Sequence, residues 1–199
     1  MTERPASSFA NYANVILTTA NQLTILRIVF VPVFIILLVY GEIGWALTVF
    51  VAAGITDVLD GVIARRFGQK TSIGAVLDPL ADKLLMTTSI LILSMPQMEF
   101  HNIIPRWLMI IIICRDVFIL VVSLLIVLMI GWRVLAPSPY GKASTALQVF
   151  TVFAVLYCNW RSMVVPELQV LFYMTGMMTA FSGLHYLVRG LRERHFFND

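Results

Sequence analysis

The chain has few charged residues, and this shortage excludes a broad class of proteins. Only 13% of its 199 residues are charged and 59% are hydrophobic, whereas a typical soluble domain is about 45–50% apolar. An aqueous fold of this length could not bury so much apolar surface in its core, so a soluble globular domain is excluded. A bilayer accepts apolar helix faces directly, and we therefore expect a lipid-embedded protein.

Cysteine is also scarce, and the charge balance is only mildly basic. Cys114 and Cys158 both lie inside apolar runs, at a spacing that matches no metal-ligand motif or disulfide framework. We interpret them as small apolar packing residues. The net charge of +3 could suggest nucleic acid, but the 14 basic residues are scattered along the chain. Such residues set topology in membrane proteins, so we expect no nucleic-acid partner.

Six apolar stretches are long enough to form helices. They cover residues 23–40, 45–63, 80–95, 107–130, 143–160 and 168–188. Unpaired backbone groups are costly in lipid, and the sequence lacks the short alternating strands of a barrel. The sequence therefore predicts an all-α integral membrane protein with six transmembrane helices, in a single domain spanning residues 1–199.

The first 20 residues differ from the six-helix core expected over residues 21–199. Within residues 8–20, Phe9, Tyr12 and Ile16 lie roughly one helical turn apart. This spacing is typical of an amphipathic helix in the plane of the membrane interface. We expect residues 1–20 to form an N-terminal interfacial segment before the first span.

The basic residues predict how the spans are oriented. With six spans, both termini and the loops after the second and fourth spans share one side, which carries most of the basic residues outside the apolar stretches. The opposite side carries only Arg106 and Arg161. The positive-inside rule therefore predicts a multi-pass protein with both termini and the loop between spans two and three in the cytoplasm. We expect the membrane to be a bacterial inner membrane.

Four of the chain's 11 acidic residues fall between positions 57 and 82. Asp57 and Asp60 are separated by three positions on the second predicted helix, and Asp78 and Asp82 by four on the third, so each pair shares a helix face. Carboxylates gathered closely raise each other's pKa unless a cation lies among them. Oxygen ligands suit Mg²⁺, Mn²⁺ or Ca²⁺ better than Zn²⁺, so the pattern predicts a divalent-metal site at the cytoplasmic edge.

Salt bridges or an ion path would also account for four acids in this segment. Pairing with Arg65, Arg66, Lys70 and Lys83 would balance the charges, but surface pairs contribute at most about 1 kcal/mol and need no such spacing. The carboxylates could instead line the path of a divalent-cation transporter. Against a transporter, the carboxylates cluster at one face, and the fifth and sixth stretches contain no acid to continue a path.

The segment resembles the signature of the CDP-alcohol phosphatidyltransferase family. The matching residues, at the family's fixed spacing, are Asp57, Asp60, Gly61, Ala64, Arg65, Gly74, Asp78 and Asp82. The resemblance is to the phosphatidylglycerophosphate synthase and cardiolipin synthase branch, and it extends to the element before the first span, with Asn21, Thr24 and Arg27. It implies six helices around a polar cytoplasmic cavity, CDP-diacylglycerol as donor and CMP as leaving group.

The resemblance also implies a role for each motif residue. Asp57, Asp60 and Asp78 would bind two ions of Mg²⁺ or Mn²⁺, and Asp82 would take the acceptor hydroxyl proton while also contacting the second metal ion. The donor's cytidine and phosphates would bind residues of the first three helical segments: Asn21, Thr24, Gly61, Ala64, Arg65 and Gly74.

The resemblance implies that the acceptor is a glycerol-type alcohol, and the sequence leaves two candidates. Arg27, Arg115 and Lys142 could bind the phosphate of sn-glycerol 3-phosphate, our first expectation. Arg115 could instead pair with Asp116, and Lys142 could be a topology anchor.

Two sequence features favour the alternative acceptor, phosphatidylglycerol, which a cardiolipin synthase uses. A second Arg typical of glycerophosphate-using relatives is missing, since Val121, Val122 and Ser123 occupy that region. The element with Gly141, Lys142, Thr145 and Gln148 is closer to cardiolipin synthases. The expected partners are thus the donor lipid, this acceptor and the bilayer, and a homodimer is one assembly that the sequence permits.

Overall fold

The computed structural model describes residues 19–67, 74–130 and 139–195, with side chains described over 26–56, 83–122 and 139–188. The described residues form six α-helices and no strand. The helices are α1 (Thr19–Val39), α2 (Ile43–Phe67), α3 (Gly74–Leu93), α4 (Arg106–Ile130), α5 (Pro139–Trp160) and α6 (Leu168–His195), with a short 3₁₀ helix at Pro96–Met98. The all-α prediction is confirmed for this part of the chain.

Each predicted apolar stretch coincides with one helix, but the helix ends differ from the ends of the stretches. Helix α3 begins at Gly74, where the apolar stretch begins only at position 80, and α6 continues to His195, beyond position 188. The difference has a simple cause, because helical hydrogen bonds continue into polar residues while hydropathy marks only the apolar part. The predicted interfacial helix lies outside the described residues, except for Thr19 and Ala20, which begin α1.

Within the described residues, α5 (Pro139–Trp160) is long and apolar enough to cross a membrane by itself. Shorter apolar helical segments occur at Leu26–Val39, Ile43–Thr56 and Lys83–Leu93. A hydrocarbon core about 30 Å thick needs roughly 20 residues of helix, which α5 provides. Six transmembrane helices remain a prediction.

The chain divides into two compact units, Met1–Ser89 and Ile90–Asp199. In the first unit, α1 packs against α2. Phe34 is fully buried there and its ring centroid lies 6.1 Å from that of Phe50. Leu38 and Ala46, 1% and 0% exposed, continue this contact toward the turn between the helices. A single domain over residues 1–199 remains a prediction.

Helix α1 ends in a Schellman motif at Gly41, whose φ is +77°. The Gly41 N–H donates to the carbonyl of Leu38 at 3.1 Å, and the Glu42 N–H donates to that of Leu37 at 2.8 Å. These are the two bonds that satisfy the last carbonyls of a helix, and the left-handed residue between them is usually glycine. The chain therefore reverses direction within a few residues, and α2 begins at Ile43.

In the second unit, α6 packs against both α4 and α5. Leu108 and Val152, both 0% exposed, and Phe172, 5% exposed, belong to its apolar core. Gly176 lets α6 approach the Trp107 side chain of α4 closely, because a Cβ at this position would lie 2.6 Å from Cζ3 of Trp107. The Trp107 ring also stacks on Tyr173, with centroids 5.3 Å apart.

An amide network joins the segment before α4 to the end of α5. The Asn102 N–H donates to Oδ1 of Asn159 at 2.7 Å, and Nδ2 of Asn159 donates to the Asn102 carbonyl at 3.0 Å. The Asn102 side chain also donates to the Met163 carbonyl at 2.6 Å and accepts from the Val165 N–H at 3.2 Å. Because both asparagines are buried, these bonds satisfy polar groups that would otherwise be costly.

Candidate functional site

The four motif acids lie on two helices of the first unit. Asp57 and Asp60 are in α2, and Asp78 and Asp82 are in α3. The helical backbone at these positions fixes the spacing within each pair, so each pair shares one face of its helix. The side chains of all four lie outside the described part of the chain, so the meeting of the two pairs in a metal site remains a prediction.

The donor set itself fits a hard divalent cation. Four carboxylates offer only oxygen ligands, the kind that Mg²⁺ and Mn²⁺ prefer, and no sulfur or imidazole that would favour zinc. Residues at three and four positions apart on a helix have Cβ atoms about 5–6 Å apart, which allows both members of a pair to approach one ion. The residues present therefore suit the metal that the motif implies.

The predicted donor-binding residues belong to the same unit. Gly61, Ala64 and Arg65 follow the first acid pair along α2, and Gly74 is the first residue of α3. Asn21 and Thr24 lie in the first turns of α1. The side chains of these residues are also outside the described part, and their contact with a nucleotide remains a prediction.

Arg27 is the first predicted acceptor residue whose side chain is described. It lies on α1 and is only 1% exposed. A guanidinium is rarely buried to this extent unless it has a structural or functional reason to be there. The structure therefore places the Arg27 side chain, which belongs to the first unit, in the interior and not on the surface.

Arg115 is buried in the second unit, with its charge balanced by a neighbour. Its Nη1 donates to Oδ1 of Asp116 at 2.8 Å, and its Nη2 donates to Oγ of Ser182 at 3.0 Å. The two side chains of the ion pair are 8% and 9% exposed. The sequence left open whether Arg115 pairs with Asp116 or binds substrate. The structure contains the ion pair.

Lys142 differs from Arg115 in its exposure. It lies near the start of α5 and is exposed, while the hydroxyl of Thr145 in the same turn donates to the Gly141 carbonyl at 3.1 Å. Gln148, one turn further, is 2% exposed, and its Nε2 donates to Oγ1 of Thr179 at 3.0 Å. Within this motif element, Lys142 is thus available to a ligand and Gln148 binds the neighbouring helix.

The structure adds a buried polar ladder between α5 and α6 that the sequence reasoning missed. Its hydroxyls pair across the two helices, at 2.7 Å for Thr151 with Thr175 and at 3.1 Å for Ser144 with Thr179. Its members are Ser144, Gln148 and Thr151 on α5, at positions i, i+4 and i+7, and Thr175 and Thr179 on α6, at positions i and i+4. This repeated spacing in apolar helices was the available signal, since membrane helices use small polar residues at their contacts.

Comparison with known proteins identifies a family for most of the chain. The family model described as CDP-alcohol phosphatidyltransferase matches residues 17–182. A probable cardiolipin synthase (CMP-forming) of Drosophila melanogaster is 34% identical over 190 residues, which cover 87% of this chain and 58% of the relative. A probable phosphatidylglycerophosphate synthase of Mycobacterium tuberculosis is 32% identical over 182 residues, covering 87% of this chain and 82% of the relative.

A bacterial relative is covered more completely. A CDP-diacylglycerol–glycerol-3-phosphate 3-phosphatidyltransferase of Bacillus subtilis is 32% identical over 183 residues, covering 83% of this chain and 91% of the relative. By contrast, the match spans less than two thirds of the fly relative's length. The matched family and these relatives are transferases, and they give no support to a divalent-cation transporter.

Proposed function

The chain belongs to the CDP-alcohol phosphatidyltransferase family, and from this premise we propose that it makes a phospholipid by moving a phosphatidyl group. The donor is CDP-diacylglycerol, the acceptor is a glycerol-type alcohol and the released product is CMP. The acceptor oxygen forms a bond to the phosphorus next to the diacylglycerol. The bond from that phosphorus to the bridging oxygen of CMP breaks, and the acceptor's proton passes to a base.

One observation carries the proposal. Eight motif residues occur at the family's spacing, and both acid pairs lie on helical backbone within the region that the family model matches. A fixed spacing on two rigid helices is what a site needs if it is to hold a charged phosphate in one geometry. Ionic residues placed on apolar helices are costly, and a catalytic role accounts for their presence.

The four carboxylates would hold Mg²⁺ or Mn²⁺, most simply as two ions. Asp57, Asp60 and Asp78 are the proposed ligands, and Asp82 would contact the second ion. When bound, the metal supplies positive charge that neutralises the pyrophosphate oxygens and stabilises the leaving CMP.

The protein's own groups would carry out the remaining steps. Asp82 would accept the proton of the acceptor hydroxyl as its oxygen attacks phosphorus. Gly61 and Gly74 lack side chains and would let the backbone approach the nucleotide closely. Arg65 would bind donor phosphate, together with Asn21, Thr24 and Ala64 along the nucleotide pocket.

The acceptor is proposed to be sn-glycerol 3-phosphate, because two bacterial relatives matched over more than four fifths of their length are a probable phosphatidylglycerophosphate synthase and a CDP-diacylglycerol–glycerol-3-phosphate 3-phosphatidyltransferase. Phosphatidylglycerol is the second candidate. Arg27, Arg115 and Lys142 would bind its anionic group. The buried ion pair of Arg115 with Asp116 favours the second candidate, because a balanced guanidinium attracts a phosphate dianion less strongly than a free one. The lack of a second Arg at positions 121–123 points the same way.

The protein is proposed to be a multi-pass membrane protein with its active face in the cytoplasm. On α6, apolar side chains such as Val170 and Met177 are 63% and 67% exposed, while Thr175 and Thr179 are fully buried. Apolar residues outside and small polar residues inside are typical of a helix that faces lipid. A lipid donor would then reach the site from the bilayer.

Product analysis tests the proposed function. Purified protein in detergent would be incubated with CDP-diacylglycerol, Mg²⁺ or Mn²⁺, and either sn-glycerol 3-phosphate or phosphatidylglycerol. We expect CMP release that depends on one acceptor, with phosphatidylglycerophosphate or cardiolipin identified by mass spectrometry. Inositol phosphate and serine serve as acceptor controls. Release of no CMP with any acceptor would contradict the proposal.

A further inference from the structure

We propose that Ser182 is a positioning residue that sets the orientation of Arg115 and, through it, the affinity for the acceptor. This inference rests on the proposed function, because it takes Arg115 to bind the acceptor's anionic group. It goes beyond that function by assigning a role to a residue on a different helix, which contains no motif acid. Ser182 lies on α6 and Arg115 on α4.

The guanidinium of Arg115 is held by two anchors of different kinds. Asp116 is the next residue on the same helix and balances the charge through Nη1 at 2.8 Å. The Ser182 hydroxyl accepts from Nη2 at 3.0 Å and is contributed by a second helix. Because Ser182 is the anchor that fixes the guanidinium relative to α6, its loss would leave the charge paired and the orientation less restricted.

The backbone of α6 also approaches the stem of this side chain. A Cβ at Gly183 would lie 3.5 Å from Cγ of Arg115, which is ordinary van der Waals contact. The α6 helix therefore meets both the stem and the head of Arg115, at two successive residues. This arrangement leaves the arginine little freedom to adopt another rotamer while Ser182 is in place.

One N–H of the held guanidinium has no partner among the described residues. The Nε atom of Arg115 is buried and has no hydrogen-bond partner among the described residues. Buried donors in proteins are nearly always paired, so an orphaned one indicates a missing partner. Since Asp116 already balances the charge, we infer that Arg115 recognises the acceptor by a directed N–H group, whose direction Ser182 fixes.

Steady-state kinetics of the full chain with CDP-diacylglycerol and its active acceptor test this role. We expect Ser182→Ala to raise the acceptor KM about tenfold, the value of one hydrogen bond to a charged group, and to leave the donor KM unchanged. Ser182→Thr keeps the hydroxyl and should restore most of the acceptor affinity.

Ser89→Ala is the matched control, because Ser89 is also fully buried but its hydroxyl donates to the Leu85 carbonyl of its own helix at 2.7 Å. It should leave both KM values at the wild-type level. If Ser182→Ala does not fold, Ser182→Cys replaces it, since cysteine keeps the size of serine and is a weak acceptor.

The outcomes separate the inference from the proposed function. An unchanged acceptor KM in the folded Ser182 variants, or equal rises in the donor and acceptor KM, would overturn the positioning role while leaving the transferase activity established. Wild-type protein that releases no CMP with either acceptor would overturn the proposed function, and the inference with it.

Discussion

Asp82 lies one helical turn beyond Asp78 on α3, and its expected role differs from that of the other motif acids. A base acts on the attacking hydroxyl more than on the bound donor. We therefore expect Asp82→Asn to lower the turnover rate by about 10²–10⁴ while leaving CDP-diacylglycerol affinity largely intact. Turnover and donor binding, measured separately on the same purified protein, check this.

Asp60→Asn is the comparison for that variant, because it should weaken metal and donor binding together. If Asp82→Asn abolished donor and metal binding as completely as Asp60→Asn, Asp82 would be a simple ligand. A different residue would then have to take the proton.

The close packing around Gly176 predicts that a larger residue there lowers the stability of the protein. A Cβ at this position would lie 2.6 Å from Cζ3 and 3.2 Å from Cη2 of Trp107. We expect Gly176→Ala to destabilise the protein by about 1–3 kcal/mol, because the indole ring would have to move off α6 and disturb its stacking on Tyr173. Thermal unfolding in detergent measures the change.

Gly54→Ala is the control, since a Cβ at Gly54 meets no atom within 4 Å. Alanine inside a helix is more stable than glycine by about 0.5–1 kcal/mol, so this variant should unfold at the wild-type temperature or above. Equal unfolding temperatures for the Gly176 and Gly54 variants would contradict the prediction, because they would show that a Cβ beside Trp107 does not lower the stability of the protein.

Among the helices, the ends of α1 and α5 use the same cap with different residues. Helix α5 ends at Trp160 and is capped by Ser162, whose φ is +52°. The Ser162 N–H donates to the Asn159 carbonyl at 3.0 Å, and the Met163 N–H donates to that of Cys158 at 2.9 Å. The left-handed conformation costs a non-glycine residue about 1–2 kcal/mol. Ser162→Gly should therefore raise the unfolding temperature, and Gly41→Ala should lower it. A lower unfolding temperature for Ser162→Gly would contradict this interpretation of the cap.

The helices themselves could be predicted from the sequence, but their ends and partners could not. Apolar length indicates a helix because lipid leaves the backbone few alternatives. The start of α3 at Gly74 was missed because Asp78 and Pro79 interrupt the apolar run, although both lie within the helix. The Gly41 turn was visible as the end of the first stretch, whereas the same turn at Ser162 carried no glycine to mark it.

In the candidate site, too, some features could be predicted from the sequence and others could not. The motif acids were found because their spacing alone identifies a shared helix face. The contact between Arg115 and Ser182 joins residues 67 positions apart. Such a pairing depends on how α4 and α6 pack, which a single sequence does not reveal.

For the whole molecule, the proposed orientation predicts which loops are accessible from outside the cell. On a background lacking Cys114 and Cys158, we expect an impermeant thiol reagent to label His101→Cys and not Gln69→Cys in intact cells. His101 is exposed, whereas the adjacent Phe100 is only 8% exposed and would react poorly. Permeabilised cells provide the control, because both positions should then react. The reverse pattern in intact cells would contradict a cytoplasmic active face.

In the proposed function, the motif carboxylates make this chain a metal-dependent phosphatidyltransferase. The most direct measurement is acceptor-dependent CMP release from CDP-diacylglycerol at millimolar Mg²⁺ or Mn²⁺. Wild-type protein would be compared with Asp57→Asn, Asp60→Asn and Asp78→Asn, and with Glu42→Gln as a control acid in the exposed turn before α2. We predict release by the wild type and the control, its loss on chelation of the metal, and its near-complete loss in each aspartate variant. Near-normal release by any of the three aspartate variants would contradict the shared metal site.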